Sequence, residues 1–431
     1  MLEQLSQQRL SPEKYQPVPR QDFDCDLIVV GGGIVGTTLV AALKHSKLKV
    51  ILVEAQAKSV SVAQGRAYVL SLLSGQIFEG IGIWNQISER VTTFQEIQIS
   101  DADDPGIVHF TPQELGRNCL GYAAEHGVLL NALQQHIQDT ANITWLCPAK
   151  VVKIDYQTDS VAVEVEINGE KRQLRSRLVV AADGAKSPMR QAVGIRTYGW
   201  RYWQSCVVAT INTEFPHHNV AYERFWSTGP MGVLPLSGNR CQVVWTAPHG
   251  EAQALKDLEV GQFLQKLEYH TGGKLGKLSL VGERHLFPVQ LLQSDRYTLN
   301  RLALIGDAAH CCHPVAGQGM NMGIRDAAAL AEVLTTAYDK GEDIGSLKVL
   351  KRYQTWRKRE NLWILAFTDF LDRIFSNNWL PIVGLRRLGL WMLRFIPMLK
   401  IYSLKLMTGL KGRHPKIAVN PVNRAVSTEK C

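Results

Sequence analysis

Apolar residues come along this chain in two rhythms. The first is short unbroken runs closed by glycine or charged residues: "DLIVV" (Asp26–Val30), "KVILVEA" (Lys49–Ala55), "SRLVVAA" (Ser176–Ala182) and "NRLALIG" (Asn300–Gly306). Such runs predict strands buried on both faces. "GIVGTTLVAALKH" (Gly33–His45) lies between the first two. Its apolar spacing is helical, and Lys44-His45 suit a helix C-terminus. The second rhythm is alternation: "SCVVATINTE", "AYERFW", "MGVLPL" and "RCQVVWTAP", all between about residues 196 and 290. It predicts antiparallel strands with one buried face. "DLEVGQFLQKLEYHTG" predicts a helix among them, and "RHLFPVQLLQSDRYTLNRLALIG" returns the chain to the first rhythm. The expected fold class is therefore α/β: a discontinuous Rossmann-like domain, an inserted antiparallel sheet and a helical C-terminus.

Composition narrows the function classes. The chain has 431 residues, 45% of them hydrophobic and 20% charged, as in an ordinary soluble protein of two or three domains. Residues 1–22 are polar and mixed in charge, which predicts a flexible tail and no signal peptide. The eight cysteines have no framework spacing and point to reduced thiols in a cytoplasmic-type compartment. From Arg373 onward, 11 lysines and arginines face one acid, Glu429; this region alone exceeds the net charge of +9. The rest of the chain is nearly neutral, which argues against a nucleic-acid binder.

Gly31, Gly33 and Gly36 stand between the first strand and its helix in G-x-G-x-x-G spacing, and Glu54 closes the next strand. In this frame Gly31 permits a tight turn, Gly33 lets a pyrophosphate approach the backbone, and Gly36 lets helix pack on strand. The helix N-terminus offers free N–H groups to phosphate, and Glu54 offers acceptors to ribose hydroxyls. A dinucleotide follows, with NAD and FAD both open at this point.

Two further motifs decide between them. "SRLVVAADGAKSPMRQAVGI" carries Asp183-Gly184, then Ser187 and Arg190 at a helix start. "NRLALIGDAAHCCHPVAGQGMNMGIRDAAALAEVL" carries Gly306-Asp307, a loop with Pro314, Gly317 and Gly319, and an alanine-rich helix. With the glycine-rich turn, this ordered trio resembles the FAD-dependent aromatic hydroxylases of the p-hydroxybenzoate hydroxylase type. Within that group the chain is most similar to the ubiquinone-biosynthesis hydroxylases. "GRAYVLSLLSGQIFEGIGIW", "LGYAAEHGVLLNAL", "YERFWSTGPMGVLPL" and "GDAAHCCHPVAGQGMNMGIRDAAAL" carry that narrower likeness, which spans about residues 24–375.

The resemblance implies FAD as cofactor and NAD(P)H as transient electron donor. It implies that Gly306 and Asp307 hold the ribityl–pyrophosphate part of FAD, and that Pro314, Gly317, Gln318, Gly319, Met320 and Asn321 lie along the isoalloxazine ring. Arg66 would sit on a mobile loop touching the flavin, with Asp183, Gly184 and Arg190 near the pyrophosphate. The expected domains are a tail at 1–22, an FAD-binding domain at 23–195 and 285–372 with flanking substrate-domain segments, a main substrate sheet at 196–284, and a basic amphipathic region at 373–431.

Two clusters invite a metal reading. His310-Cys311-Cys312-His313 packs four ligand types together, but zinc ligands come as spaced pairs with a second pair elsewhere. The expectation is no metal, with the cysteines as small packed residues and His310 as a structural hydrogen-bonding group. His217-His218 in "FPHHN" reads as a solvated turn. "GWRYWQ" (Gly199–Gln204) resembles the tryptophan motif of flavin halogenases but lacks its Ile-Pro ending. Tyr222, Phe225, Trp226, Leu234 and Trp245 are candidates for an apolar substrate pocket. The C-terminus mixes Trp, Phe and Leu with Arg and Lys, breaks near Pro381 and Pro397, and has no run long enough to span a bilayer. It suits a membrane surface, with packing on the fold as the other option.

The reaction implied is hydroxylation of a prenylated phenol in quinone biosynthesis: NAD(P)H reduces the flavin, O2 adds at C4a, and the hydroperoxide transfers one oxygen to the ring. Such an enzyme would be cytoplasmic, peripheral to the membrane and open to a quinone-biosynthesis complex. The alternatives are an FAD-dependent epoxidase or reductase of an isoprenoid lipid, or a non-catalytic FAD- and prenyl-lipid-binding accessory protein. No side chain is singled out as catalytic.

Overall fold

The computed structural model describes residues 23–62, 65–102 and 106–419. The expected tail at 1–22 lies outside them, as do residues 420–431. The four unbroken apolar runs pair as neighbours in one sheet. Its order is Thr298–Leu299, Leu302–Leu304, Glu170–Ala181, Cys25–Val30, Val50–Val53 and Ile143–Leu146. The last five of these pair in parallel. Leu27, Ile28, Val29, Leu178, Val179 and Val180 are all fully buried. On one side lie Ile34–Ala42, His126–Ile137 and the long Gln318–Asp339 helix, with Ile34–Ala42 packed against the other two.

The alternating runs build a second sheet of eight strands. Its order is His310–Cys311, Leu278–Ser294, Thr197–Thr213, Arg240–Pro248, Gly229–Leu236, Val220–Trp226, Glu96–Asp101 and Ile107–Phe110. Antiparallel hairpins dominate, but Val220–Trp226 pairs in parallel with Glu96–Asp101. One face is covered by the helices His249–Asp257 and Val260–Thr271, over a core of Val207, Ile211, Val243, Trp245 and Phe263. The other face looks toward the first domain.

Two expected boundaries move. The border at 284/285 falls inside the single strand Leu278–Ser294, which pairs with Thr197–Thr213 almost throughout. A hydrophobic run cannot reveal that the strand pairs within the second sheet along nearly its whole length. The border at 372/373 falls inside the helix Leu347–Phe375. Beyond it, Leu380–Phe395 and Pro397–Met407 are separate helices, each with proline in its first turn. There the missing proline N–H costs nothing. Pro381 and Pro397 therefore start helices as well as interrupt the run.

Candidate active site

The three motifs meet in space. A Cβ on Gly31 would lie 2.3 Å from the Ala182 carbonyl oxygen, and one on Gly36 would lie 2.0 Å from the Gly31 carbonyl oxygen. Both glycines are needed because backbone fills the space a side chain would take. Gly306 sits against Val35, 3.1 Å from where its own Cβ would be. Gly33 is the opposite case: a Cβ there would meet nothing within 4 Å. It stands at the uncapped N-terminus of Ile34–Ala42, and its open side faces a cavity.

That cavity has a volume of about 1500 Å³, more than a single small ligand usually needs. One end is a glycine cradle, lined by Gly33, Gly36, Gly184 and Asp307. The loop Pro314–Gly319 and Met320 form its middle. Val315–Gly317 is a 3-10 turn with Ala316 and Gly317 at positive φ, and Gly317 opens the Gln318–Asp339 helix without a side-chain cap. A second set of free N–H groups thus faces the cavity. The far end is apolar, walled by Phe94, Phe110, Phe225 and Leu234 and roofed by the C-terminal helices through Leu385, Leu390, Leu393 and Met407.

The structure fits a flavin dinucleotide: an open glycine cradle, two helix N-termini aimed into one cavity, and the Asp307 carboxyl at its wall. Asp307 looks into the cavity; burial raises its pKa, and His310 and Arg66 pull it back down. Arg66 also lies over the Phe287 ring at 4.0 Å, so it links cradle and sheet.

Several expected site residues play other parts. Glu54 does not line the cavity: one carboxylate oxygen accepts from the Gly32 N–H at 2.6 Å and the other from Gln56 N–H at 2.6 Å, holding the glycine turn from below. Asp183 accepts from the Met189 N–H at 3.3 Å, at the start of the Pro188–Ala192 helix, and burial raises its pKa. Arg190 is buried and donates to the carbonyls of Ala308 and Ala185, both at 2.8 Å, so it splices the two turns together. Asn321 is fully buried and fully bonded. Its amide donates to Val69 and Gly317 carbonyls and its oxygen accepts from Ser71 N–H and Ser74 Oγ. Its side chain thereby fixes the loop.

The substrate-pocket expectation divides by strand parity. Phe225 and Leu234 line the cavity, but Trp226 and Trp245 lie on the opposite, helix-covered face, near Phe263 and His270. Tyr222 touches the cavity's edge while its ring faces Lys274.

The His310–His313 cluster does not converge. His310 bonds Asp326 at 2.6 Å. Burial opposes ionisation of Asp326, yet His310 and Arg357 outweigh it and hold its pKa well below the usual carboxylate range. The Arg357 guanidinium donates to Asp326 at 2.8 Å, and the Asn361 amide at 3.0 Å. His313 instead packs edge-on against Tyr202, and burial lowers its pKa to about 4. Burial raises both cysteine thiols. Among the described residues no group of three or more His, Cys, Asp or Glu is arranged for a metal. His217 departs from the solvated-turn reading. It is buried, and its Nε2 bonds the carbonyls of Leu236 and Gly238 at 3.0 and 2.7 Å. His218, beside it, is exposed.

Comparison with known proteins agrees with this site. A family model described as an FAD binding domain matches residues 24–362. Over 396 residues the chain is 35% identical to the ubiquinone hydroxylase UbiL of Rhodospirillum rubrum, covering 90% of this chain and 91% of that one. The chain belongs to the FAD-dependent aromatic hydroxylases of the ubiquinone-hydroxylase type. It is an FAD-dependent monooxygenase by family. An uncharacterised protein of Synechocystis sp. is 49% identical over 397 residues, covering 92% of this chain and 96% of that one. The fold matches p-nitrophenol 4-monooxygenase PnpA of Pseudomonas putida, with TM-score 0.75, 20% identity, and 90% and 98% of the two chains covered. In this hydroxylase, the cavity residues that the sequence reading did not single out are Glu223, Gln242, Phe287 and the C-terminal roof. Alternation within "AYERFW" marked the strand without showing which parity faced the flavin side.

Proposed function

We propose that this hydroxylase transfers one oxygen atom from O2 to the aromatic ring of a prenylated phenol in quinone biosynthesis, with NAD(P)H as electron donor. The observation that carries this reading is the continuity of one cavity from a glycine cradle to an apolar chamber beneath the C-terminal helices. FAD, when bound and reduced, supplies the oxygen activation. The chain's own residues do the rest. The N-termini at Gly33 and Gly317 present N–H groups to negative charge. Asp307 stands where ribityl hydroxyls need an acceptor, and Glu54 holds the glycine turn from below. Phe94, Phe110, Phe225 and Leu234 exclude water, which protects reactive oxygen chemistry from solvent.

The roof also gives the substrate a route. Leu390 and Leu404 pack inward, while Trp379, Leu380, Leu385, Leu388, Trp391, Phe395 and Met398 are exposed. No helix among the described residues is long and apolar enough to cross a membrane. An exposed aromatic face among Arg387, Arg394 and Lys405 suits the surface of an anionic bilayer, in which a polyprenyl tail dissolves. The reading is of a peripheral membrane enzyme on the cytoplasmic side, open to a quinone-biosynthesis complex.

The test is deletion of the gene followed by mass-spectrometric profiling of lipid-extractable quinones and phenols. Accumulation of a prenylated phenol lacking one oxygen is the expected outcome. An unchanged quinone pool with a shifted isoprenoid would point instead to an epoxidase or reductase.

A further inference from the structure

The hydroxylase reading leaves one chemical need unassigned. A phenol of ordinary acidity, with a pKa of about 10, donates electrons to its ring far better once its proton is lost. Two carboxyl groups line the cavity. Asp307 belongs to the flavin cradle; Glu223 belongs to the sheet, on the same face of its strand as Phe225. Its backbone neighbours leave room for it: Gly232 lies directly across the hairpin, and Glu223 Oε2 is 3.4 Å from where a Cβ on Gly232 would sit. The other flank is Ile99. The Ala316 N–H, on the loop Pro314–Gly319, lies near enough to the carboxyl to favour its charged form.

From this placement we propose that Glu223 is the proton acceptor for the phenol hydroxyl. The proposal rests on the hydroxylase reading. The phenol O–H bond breaks, its electron pair stays on the phenol oxygen, and the proton passes to the Glu223 carboxylate. The oxygen atom comes from O2 and the electrons from NAD(P)H, as above. Glu223 thus touches both partners of the reaction: the loop that carries the flavin and the chamber that takes the ring.

Its surroundings suit a base near neutrality. Burial pushes the Glu223 carboxyl up to about 7, against the lowering effect of the Ala316 N–H. No basic side chain is ion-paired with it among the described residues. The titratable group facing it is the Cys206 thiol, itself raised by burial, and the Asp101–Arg386 pair stands at the end of the neighbouring strand. Asp101 and Arg386 neutralise each other at 2.6 Å.

Glu223→Gln is the discriminating variant, because the amide keeps the size and polarity of the carboxyl while the proton-accepting function is lost. In the FAD-loaded, full-length enzyme, turnover of a short-chain prenylated phenol is measured from pH 5 to 9. Wild type should gain kcat/KM as pH rises through about 7. The variant should lose roughly 10²–10⁴-fold at high pH and lose that rising limb. Thermal unfolding gives a readout free of turnover. An acid whose pKa is raised by folding holds its proton more tightly folded than unfolded. Wild type should therefore lose Tm relative to Glu223→Gln between the unfolded carboxyl range and about 7. Equal turnover and parallel pH profiles in the two proteins would overturn the assignment. Wild type that binds FAD but shows no phenol-dependent O2 uptake would sink the hydroxylase reading itself, and the proposal with it.

Discussion

At the scale of single residues, the glycine-rich turn separates two kinds of necessity. Gly36 is required by the protein, since any Cβ would collide with the Gly31 carbonyl. Gly33 meets no such collision, since a Cβ there faces only open cavity, and the proposed cofactor cradle is what would require it. Valine at each position should therefore fail differently. Gly33→Val should fold with a Tm close to wild type but retain little FAD, read from the absorbance of the purified protein. Gly36→Val should lose stability by several kcal/mol, as overpacked cores do, before cofactor binding enters. If Gly33→Val bound FAD normally, the cradle would lie elsewhere. Asn321 teaches the converse lesson. Its place in the flavin-loop motif suggested a ligand contact, and its four hydrogen bonds to Val69, Gly317, Ser71 and Ser74 leave none to give.

Among elements, the join that matters most is between the C-terminal helices and the substrate sheet. The helix Leu380–Phe395 sends Arg386 inward to Asp101 on the strand Glu96–Asp101, with both side chains nearly inaccessible. The same guanidinium donates to the carbonyls of Phe375 and Asn377, at 3.2 and 2.6 Å. Phe375 in turn stacks on Phe225, with ring centroids 3.8 Å apart. Removing one partner strands a buried charge, which costs about 3–5 kcal/mol. Arg386→Ala should show that loss in chemical denaturation. The double variant Asp101→Leu/Arg386→Met should recover most of it, because desolvation of both ions is then avoided. A single variant as stable as wild type would mean that the roof is not anchored here.

For the whole molecule, the C-terminal region is both a packed element and an open surface. Leu390 and Leu404 bury while Trp391 and Phe395 stay exposed, their rings 5.3 Å apart. Each aromatic ring inserted into an interface contributes roughly 1.5–3 kcal/mol, and each nearby cation about 1 kcal/mol on anionic lipid. Trp391→Ser/Phe395→Ser should weaken sedimentation with anionic vesicles by about tenfold or more. Activity on a soluble short-chain phenol should be unchanged. Binding that survived the double change would place the membrane face elsewhere.

Much of this was legible in order along the chain. The strand–glycine–helix unit, the DG and GD turns and the alternating middle section all follow from local rules: burial on both faces, burial on one, and backbone that must bend where a side chain cannot fit. Those rules act within about ten residues, so sequence alone determined the α/β class and the FAD signature. What it could not determine depends on which residues meet across long loops. Strand parity put Phe225 and Glu223 toward the cavity and sent Trp226 and Trp245 to the far face. Strand Leu278–Ser294 belongs to the second sheet because its pairing partner, not its own composition, defines its place. His310 bonds Asp326, and the helix Leu380–Phe395 became part of a roof, because Asp326 and Asp101 are buried where a hydrogen-bonding partner is needed. Burial and partnership are properties of the packed chain, and only tertiary structure decides them.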